Sequence, residues 1–218
     1  LGINQIDLLL IHSLDQYGQA EQAVERVLQP GGMVEALQEL KARGKIRFFG
    51  VSGQLRELIC AAKTDVFDVL LTYNSYNLLV RDAAEELLPI ARRQNLGVIL
   101  GGAYYQGLLT GDPEAAALKC KEEFFETNDP ALRRTEEIMR CVARLRQFAG
   151  GSATDLRRLA MRFCLSQDAV SVVVTGIRSP GEVEENVAAV EAGALDESEQ
   201  NQVARLLKEM PVISWKAT

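Results

Sequence analysis

Several features are scarce in this sequence of 218 residues, and each scarcity removes a class of protein. No apolar run approaches the about 20 residues that a membrane-spanning helix requires, so no membrane partner is expected. The net charge of −6 disfavours a nucleic-acid partner. The cysteines lie far apart and include no C-x-x-C pair, which disfavours a metal site or a disulfide framework and favours reduced thiols in the cytoplasm. They are Cys60, Cys120, Cys141 and Cys164.

Short, uninterrupted apolar segments alternate with amphipathic segments along the chain. The predicted strands are Ile6–Ile11, Ile46–Val51, Val69–Tyr73, Val98–Leu100 and Val170–Val174. The predicted helices are Met33–Arg43, Gln54–Lys63, Ala83–Gln94, Pro130–Phe148, Ala153–Ser166, Pro180–Ala192 and Asp196–Glu209. Repeated strand–helix units predict an α/β fold with a parallel sheet and right-handed crossovers. Five strands suit an open doubly wound sheet and are too few for an eight-stranded barrel, and periodicity alone does not choose between them. No linker interrupts the pattern, which predicts one domain over residues 1–218.

Single residues predict where some helices begin and end. Gly44 follows the first predicted helix as a C-terminal stop. Pro89 lies inside a predicted helix and implies a kink or a broken first turn there. Asp196 is a candidate N-cap of the last helix.

The choice of fold comes from a resemblance in five segments. They are Leu1–His12, Ala36–Ser52, Phe67–Leu79, Gly97–Gly111 and Gly176–Asn186. In this order they resemble strands four to eight, with adjoining loops and helices, of the aldo-keto reductases. The resemblance implies a (β/α)₈ TIM-barrel type of fold, present here as a partial barrel of about five parallel strands with outer helices. An unrelated α/β enzyme with an open sheet is the remaining alternative.

The resemblance also implies an activity, the transfer of hydride between a nicotinamide cofactor and an aldose or other small carbonyl or alcohol. Tyr73 and the run from Gly101 to Tyr105 are similar to the sugar-oxidising dehydrogenases of the family. The family's first three strands carry a catalytic Asp, Tyr and Lys, and no residue here matches them. We therefore expect an N-terminally incomplete family member that is inactive alone. The alternative is a non-catalytic nucleotide-binding or assembly module on the same scaffold.

Three candidate residues belong to the hydride-transfer end of this site. His12 matches the family's catalytic histidine, which orients the carbonyl; without the surrounding segment, a strand-end histidine satisfied by the backbone would be the simpler interpretation. Ser52 matches the serine that contacts the nicotinamide carboxamide, but Gly53 follows it where the family usually has asparagine. Tyr73 is expected either to reach substrate or cofactor or to be a packing aromatic.

The segment from Gly176 to Asn186 carries the binding prediction. Glycine at a strand exit lets the backbone approach a phosphate, and the following helix offers free N–H groups. By resemblance, Arg178 lies against adenine, with Glu185 and Asn186 near its amine and ring nitrogens. Glu182 occupies the position of the family's 2′-phosphate-binding arginine, which favours NAD over NADP. The simpler interpretation is a capped surface helix with an acidic first turn.

The first and last predicted strands are exposed edges unless other protein covers them. Exposed edges invite pairing, so self-association is expected. The other expected partner is a small carbonyl or sugar substrate, bound by the complete protein.

Overall fold

The computed structural model describes residues 2–110 and 131–214, with the backbone alone at 131–136. Gly111 and Cys120, both named above, lie outside these ranges. Five strands form one sheet: β1 (Ile6–Ile11), β2 (Ile46–Gly53), β3 (Val69–Tyr73), β4 (Gly97–Gly101) and β5 (Val172–Val174). The strand order is β1-β2-β3-β4-β5, so each strand neighbours the next along the chain. The predicted parallel sheet is confirmed. The order also differs from that of a doubly wound sheet, which would reverse at a switch point.

The strand register brings three of the candidate site residues to one edge of the sheet. Ile11 of β1 pairs with Val51 of β2, and Tyr73 of β3 pairs with Gly101 of β4. Because the strands are parallel, their carboxyl ends lie along the same edge. His12, Ser52 and Tyr73 all belong to this edge.

Helices connect and cover the strands. They are α1 (Ala20–Leu28), α2 (Met33–Ala42), α3 (Leu55–Ala62), α4 (Leu87–Gln94), α5 (Ala131–Ala149), α6 (Ala153–Leu165), α7 (Pro180–Glu191) and α8 (Glu197–Lys208). The seven predicted helices are confirmed with shifted ends, whereas α1 was not predicted. Its buried side is made of Ala23, Val24 and Val27, which form a short apolar stripe on one face of the helix.

The local predictions of helix ends are confirmed. Gly44, after α2, has a φ of +67°, the left-handed conformation that glycine adopts at low cost. The helix predicted from Ala83 begins as α4 at Leu87, because Pro89 has no N–H to continue an earlier turn. Asp196 and Glu199 form a reciprocal capping box at the start of α8, with two bonds of 2.8 Å.

The chain divides into two compact units. The first contains residues 1–73, 82–101 and 169–172. Its fully buried side chains include Leu14, Leu58, Leu70, Leu88 and Leu100. The apolar interior excludes water from the backbone hydrogen bonds of the sheet and stabilises them.

The second unit contains residues 74–81, 102–168 and 173–218. One apolar cluster lies inside it, with Leu78, Leu109, Leu145 and Leu156 completely buried. Tyr76 stacks on Phe163, with ring centroids 5.2 Å apart. Within the described ranges, no helix has both the length and the apolar composition of a membrane span.

The sheet edge at β5 generates a prediction about self-association. Val174 is 50% exposed on this terminal strand. Val174→Lys should weaken association of the chain by placing charge on the edge, lowering the weight-average mass in sedimentation at high concentration. Val212→Lys is the control, since Val212 is more exposed and lies outside the named strands. Equal sedimentation of the parent and both variants would contradict an association through this edge.

Candidate functional site

His12 and Ser52 form a contact at the carboxyl edge of the first unit. His12 directly follows β1, and Ser52 lies near the end of β2. Since Ile11 pairs with Val51, the next residues on both strands are neighbours. The Ser52 Oγ lies 3.3 Å from the His12 Nδ1. Ser52 is buried and His12 is exposed, so a fixed hydroxyl supports a ring that solvent reaches.

The backbone after His12 also contacts Ser52. Ser13 has a φ of 50° and a ψ of 69°, a left-handed conformation that is uncommon for serine. Its N–H donates to the Ser52 Oγ at 2.9 Å. The Ile11 carbonyl oxygen lies 3.5 Å from the same Oγ. The strand exit therefore turns sharply around the serine hydroxyl.

Packing explains why glycine follows Ser52 in place of asparagine. A Cβ at Gly53 would lie 3.0 Å from the Cβ of Leu14. Leu14 is completely buried in the first unit and has little freedom to move. A side chain at this position, such as the amide that the family usually has, would therefore require Leu14 to shift.

Tyr73 presents its ring at the same edge. It ends β3 and is 50% exposed. A Cβ on its partner Gly101 would lie 3.1 Å from the Tyr73 Cδ2, so the ring occupies space that a side chain at 101 would need. An exposed aromatic face is suited to stacking on a planar ring or on the apolar face of a sugar.

The residues after β5 form a second group, which lies within the second unit. Ser179 caps α7 by accepting from the Glu182 N–H at 3.3 Å, with Pro180 at the first helical position. The Glu182 Oε2 accepts from the Arg178 N–H at 2.7 Å, and its Oε1 lies 3.6 Å from the Arg178 Nη2. The Arg178 side chain is 82% exposed, so this ion pair contributes little to stability. Gly176 leaves open space, since an added Cβ would meet no atom within 4 Å.

Arg157 of α6 holds Glu185 of α7. The Arg157 Nε donates to the Glu185 Oε2 at 2.6 Å, and its Nη2 donates to the Thr154 Oγ1 at 3.0 Å. Arg157 also donates to the Thr110 carbonyl oxygen. The Glu185 Oε1 has a weaker contact, 3.4 Å from the Thr154 Oγ1. One carboxylate oxygen is thus fixed and the other is less occupied.

Tyr104 and Thr175 orient the Asn186 amide. The Tyr104 hydroxyl donates to the Asn186 Oδ1, and the Asn186 Nδ2 donates to the Thr175 Oγ1 at 3.2 Å. Burial raises the pKa of Tyr104 to about 12, so its hydroxyl remains a donor at neutral pH. The bond from Tyr104 fixes which end of the amide is the acceptor and leaves one Nδ2 hydrogen for another acceptor.

Sequence reasoning found these two groups but not all of their supports. Tyr104 was recognisable as an aromatic of the loop after β4, but its bond to Asn186 joins residues 82 positions apart. Arg157 was not singled out, because its partners Thr110 and Glu185 are 47 and 28 residues away. An arginine in an amphipathic helix carries no local sign of such a role.

Asn74 is under strain at the exit of β3. It has a φ of 51° and is completely buried, and both polar atoms of its amide lack a hydrogen-bond partner. Gly102, just after β4, has a φ of +81°, and a Cβ there would lie 2.1 Å from the Asn74 Oδ1. A buried amide without partners is costly, so the surrounding packing must hold it in place.

Metal and thiol chemistry find no support among the described residues. Within them, no group of three or more His, Cys, Asp or Glu side chains could hold a metal ion. Cys60, Cys141 and Cys164 are free thiols. Burial raises the pKa of Cys164 to about 12, which keeps it protonated and unreactive at neutral pH.

The pattern that defines the aldo/keto reductase family matches residues 1–208. The chain therefore belongs to this family.

The chain is similar in sequence to characterised dehydrogenases. The chain is 30% identical to the pyridoxal 4-dehydrogenase of Microbacterium luteolum over 90% of its own length and 56% of that protein. It is 27% identical to the L-galactose dehydrogenase of Arabidopsis thaliana over 99% of its length and 63% of that protein. The chain thus spans about three fifths of these relatives.

A solved structure shares the fold. The holo form of an aldo-keto reductase from Bacillus halodurans superposes with a TM-score of 0.64 at 23% identity. The match covers 98% of this chain and 64% of the other. Such structural neighbours are of the TIM-barrel type, which agrees with the predicted fold class.

The contact of Gly102 with Asn74 gives a prediction about stability. Gly102→Ala should lower the free energy of unfolding through the positive φ and through the clash. Gly31→Ala is the matched control, because Gly31 has a φ of +74° and open space around it. The control should lose about 1 kcal/mol, and Gly102→Ala about 1 to 3 kcal/mol more from overpacking, measured by urea unfolding.

A double variant isolates the clash. Asn74→Gly removes the amide and tolerates the positive φ, so the further cost of Gly102→Ala should become smaller in that background. A part of the cost should remain, because the backbone N of residue 74 would still lie 2.9 Å from the added Cβ. If Gly102→Ala lowered the free energy of unfolding by the same amount in that background, the side-chain amide of Asn74 would not be the source of the clash.

The raised pKa of Tyr104 predicts loss of stability in alkali. Because the pKa moves from 10.0 to about 12 on folding, the unfolded chain ionises first, and the unfolding free energy falls as pH rises from 10.0 to about 12. Tyr104→Phe should make this fall shallower in urea unfolding. Burial also raises the pKa of Tyr76 to about 12, so Tyr76→Phe should do the same. The two should differ in nucleotide binding, because only Tyr104 contacts Asn186.

Proposed function

We propose that this chain is the part of a nicotinamide-dependent oxidoreductase that orients a small carbonyl or sugar substrate and holds the adenosine end of the cofactor. The observation that carries the proposal is the pair Glu185 and Asn186, adjacent residues whose side chains are each fixed by a partner on another segment. A carboxylate beside an oriented amide provides an acceptor and a donor, which is the pairing that an adenine edge requires.

Adenine recognition follows from the atoms left available. The Glu185 Oε1 is suited to accept from the exocyclic amine, since Arg157 binds the other oxygen. The second Nδ2 hydrogen of Asn186 is suited to a ring nitrogen, since Thr175 takes the first. The exposed guanidinium of Arg178 is suited to stack on the face of the ring.

At the reacting end, His12 is proposed to hold the substrate oxygen. A bound nicotinamide supplies or accepts the hydride. His12 is exposed next to the buried Ser52 hydroxyl, and a nitrogen that donates to the carbonyl oxygen fixes its position and polarises the bond. Tyr73 offers an exposed ring on which a sugar or the cofactor ring stacks. Ser52 also remains a candidate contact of the carboxamide.

Charge near the start of α7 favours NAD over NADP. The Glu182 carboxylate is held by the Arg178 N–H, so it stays near the ribose end of an adenosine placed against Arg178. A carboxylate repels a 2′-phosphate but accepts from a ribose hydroxyl. The partial neutralisation by Arg178 reduces this repulsion without removing it.

Substrate class and compartment are the finer parts of the proposal. An aldose is favoured by the likeness to L-galactose dehydrogenase and by the exposed ring of Tyr73. The free thiols of Cys60, Cys141 and Cys164 favour a reducing compartment such as the cytoplasm.

A second function, a nucleotide-binding module without catalysis, is favoured by one observation. The side chains proposed for adenosine, and their supports at 104, 157 and 175, all belong to the second unit. No residue of the hydride-transfer end takes part in these hydrogen bonds. For these 218 residues alone we therefore expect nucleotide binding without hydride transfer.

Titration with nucleotides tests the proposal. NAD should bind more tightly than NADP, on the order of tenfold or about 1.4 kcal/mol. Glu182→Arg should reverse the order by replacing repulsion with attraction. Glu182→Gln keeps an acceptor for the Arg178 N–H but removes the charge. It should therefore bring the affinities for NAD and NADP closer together. Glu184→Arg, the same charge change on an exposed position of α7, should leave the order unchanged.

The outcomes separate the candidate functions. Equal affinities that no variant changes would mean that Glu182 points away from the ribose. Failure of both nucleotides to bind would reject the proposal for this chain. Nucleotide binding with no aldose-dependent change in nicotinamide absorbance supports the module. A change that His12→Ala abolishes would instead show that these residues carry catalysis.

A further inference from the structure

We propose that Ser52 is a positioning residue that holds His12 in one tautomer, with the proton on Nε2. The sequence assigned Ser52 to the cofactor, but in the structure its hydroxyl lies 3.3 Å from the His12 Nδ1. The role of that proton toward a substrate carbonyl rests on the proposed function. The hydrogen bond itself does not.

Hydrogen accounting around the Ser52 Oγ selects the tautomer. The Ser13 N–H donates to this oxygen at 2.9 Å and occupies one lone pair. The hydroxyl has one hydrogen to give. Its two acceptors are the His12 Nδ1 at 3.3 Å and the Ile11 carbonyl oxygen at 3.5 Å, which is at the limit for a hydrogen bond. The opposite arrangement, with a protonated Nδ1 donating to the second lone pair of Oγ, would require the hydroxyl to donate to the Ile11 oxygen at that limiting distance. Donation to Nδ1 makes the shorter bond of the hydroxyl hydrogen and leaves the ring proton on Nε2.

The surroundings make Ser52 a rigid support. It is 7% exposed and lies in β2, in register with the end of β1. The left-handed turn at Ser13 directs a backbone N–H to the same oxygen, so a backbone donor also holds the hydroxyl. An exposed imidazole with no such support would exchange between its two neutral forms.

The tautomer decides what His12 can do. A carbonyl oxygen accepts hydrogen bonds and donates none, so only a ring nitrogen that carries a proton can hold it. With Nδ1 occupied by Ser52, Nε2 becomes that donor. The same bond limits rotation of the ring, which keeps the donor in one place before substrate arrives.

Because His12 is the chain's one histidine, its ring can be observed without ambiguity. The experiment is a long-range proton–nitrogen NMR correlation on the ¹⁵N-labelled chain, in alkaline buffer without substrate or cofactor. Nε2 correlates with both ring carbon-bound protons and Nδ1 mainly with one, so each nitrogen is identified. We expect one protonated nitrogen resonance, Nε2, and one acceptor resonance, Nδ1.

Variants distinguish positioning from general stability. Ser52→Ala should move both nitrogen resonances toward their average, because the second tautomer becomes populated. Ser52→Thr keeps the hydroxyl and should restore the parent spectrum. Ser171→Ala is the matched control: it removes another serine hydroxyl that accepts from a strand N–H, that of Val98, and should leave the spectrum unchanged. Circular dichroism checks that each variant is folded.

Two results would overturn the proposal. One is a parent chain that carries its proton on Nδ1 or already shows averaged resonances. The other is a folded Ser52→Ala chain with the parent spectrum. Neither depends on nucleotide binding, so failure here is distinguishable from failure of the proposed function, which the titrations decide.

Discussion

Parallel pairing of consecutive strands is the constraint on which the contact of His12 with Ser52 depends. In a parallel sheet the carboxyl ends of the strands lie along the same edge, so residues that follow neighbouring strands meet there. The pairing of Ile11 with Val51 alone determines that His12 and Ser52 are neighbours. A slip of one residue would turn Ser52 to the other face of its strand and remove the contact. The chemistry of the edge is therefore a consequence of register.

Space at the strand exits is a second constraint, and glycine provides it. Gly53 makes room for Leu14, Gly101 for the ring of Tyr73, and Gly102 for Asn74. A Cβ at these glycines would lie 3.0, 3.1 and 2.1 Å from the neighbouring side chain. The first two distances are tight contacts, whereas at Gly102 the Asn74 Oδ1 occupies the space that a Cβ would need.

Much of the fold could be predicted because its signals are local. Apolar runs such as Ile6–Ile11 and Val69–Tyr73 matched the strands at both ends, and Pro89 and Asp196 marked helix starts. The helix α1 was not predicted, although Ala23, Val24 and Val27 recur on one face at helical spacing. The residues that support the candidate site were also not predicted from the sequence, and here the reason is distance along the chain. Arg157 and Tyr104 act on residues 28 and 82 positions away, and no local pattern encodes such pairs.

The two groups of candidate residues are held by different kinds of interaction, and this difference has a physical consequence. Glu185 is held by a charged and only partly exposed arginine, and Asn186 by a neutral hydroxyl. Charge-assisted bonds are strong and directional, so they hold the Glu185 carboxylate in one orientation. His12 is held by one neutral bond of 3.3 Å, which is weaker. A recognition end gains from rigid charges, whereas a nitrogen that must donate to a carbonyl gains from a defined neutral form. In the proposed function, the ionic support therefore serves binding and the neutral support serves proton placement.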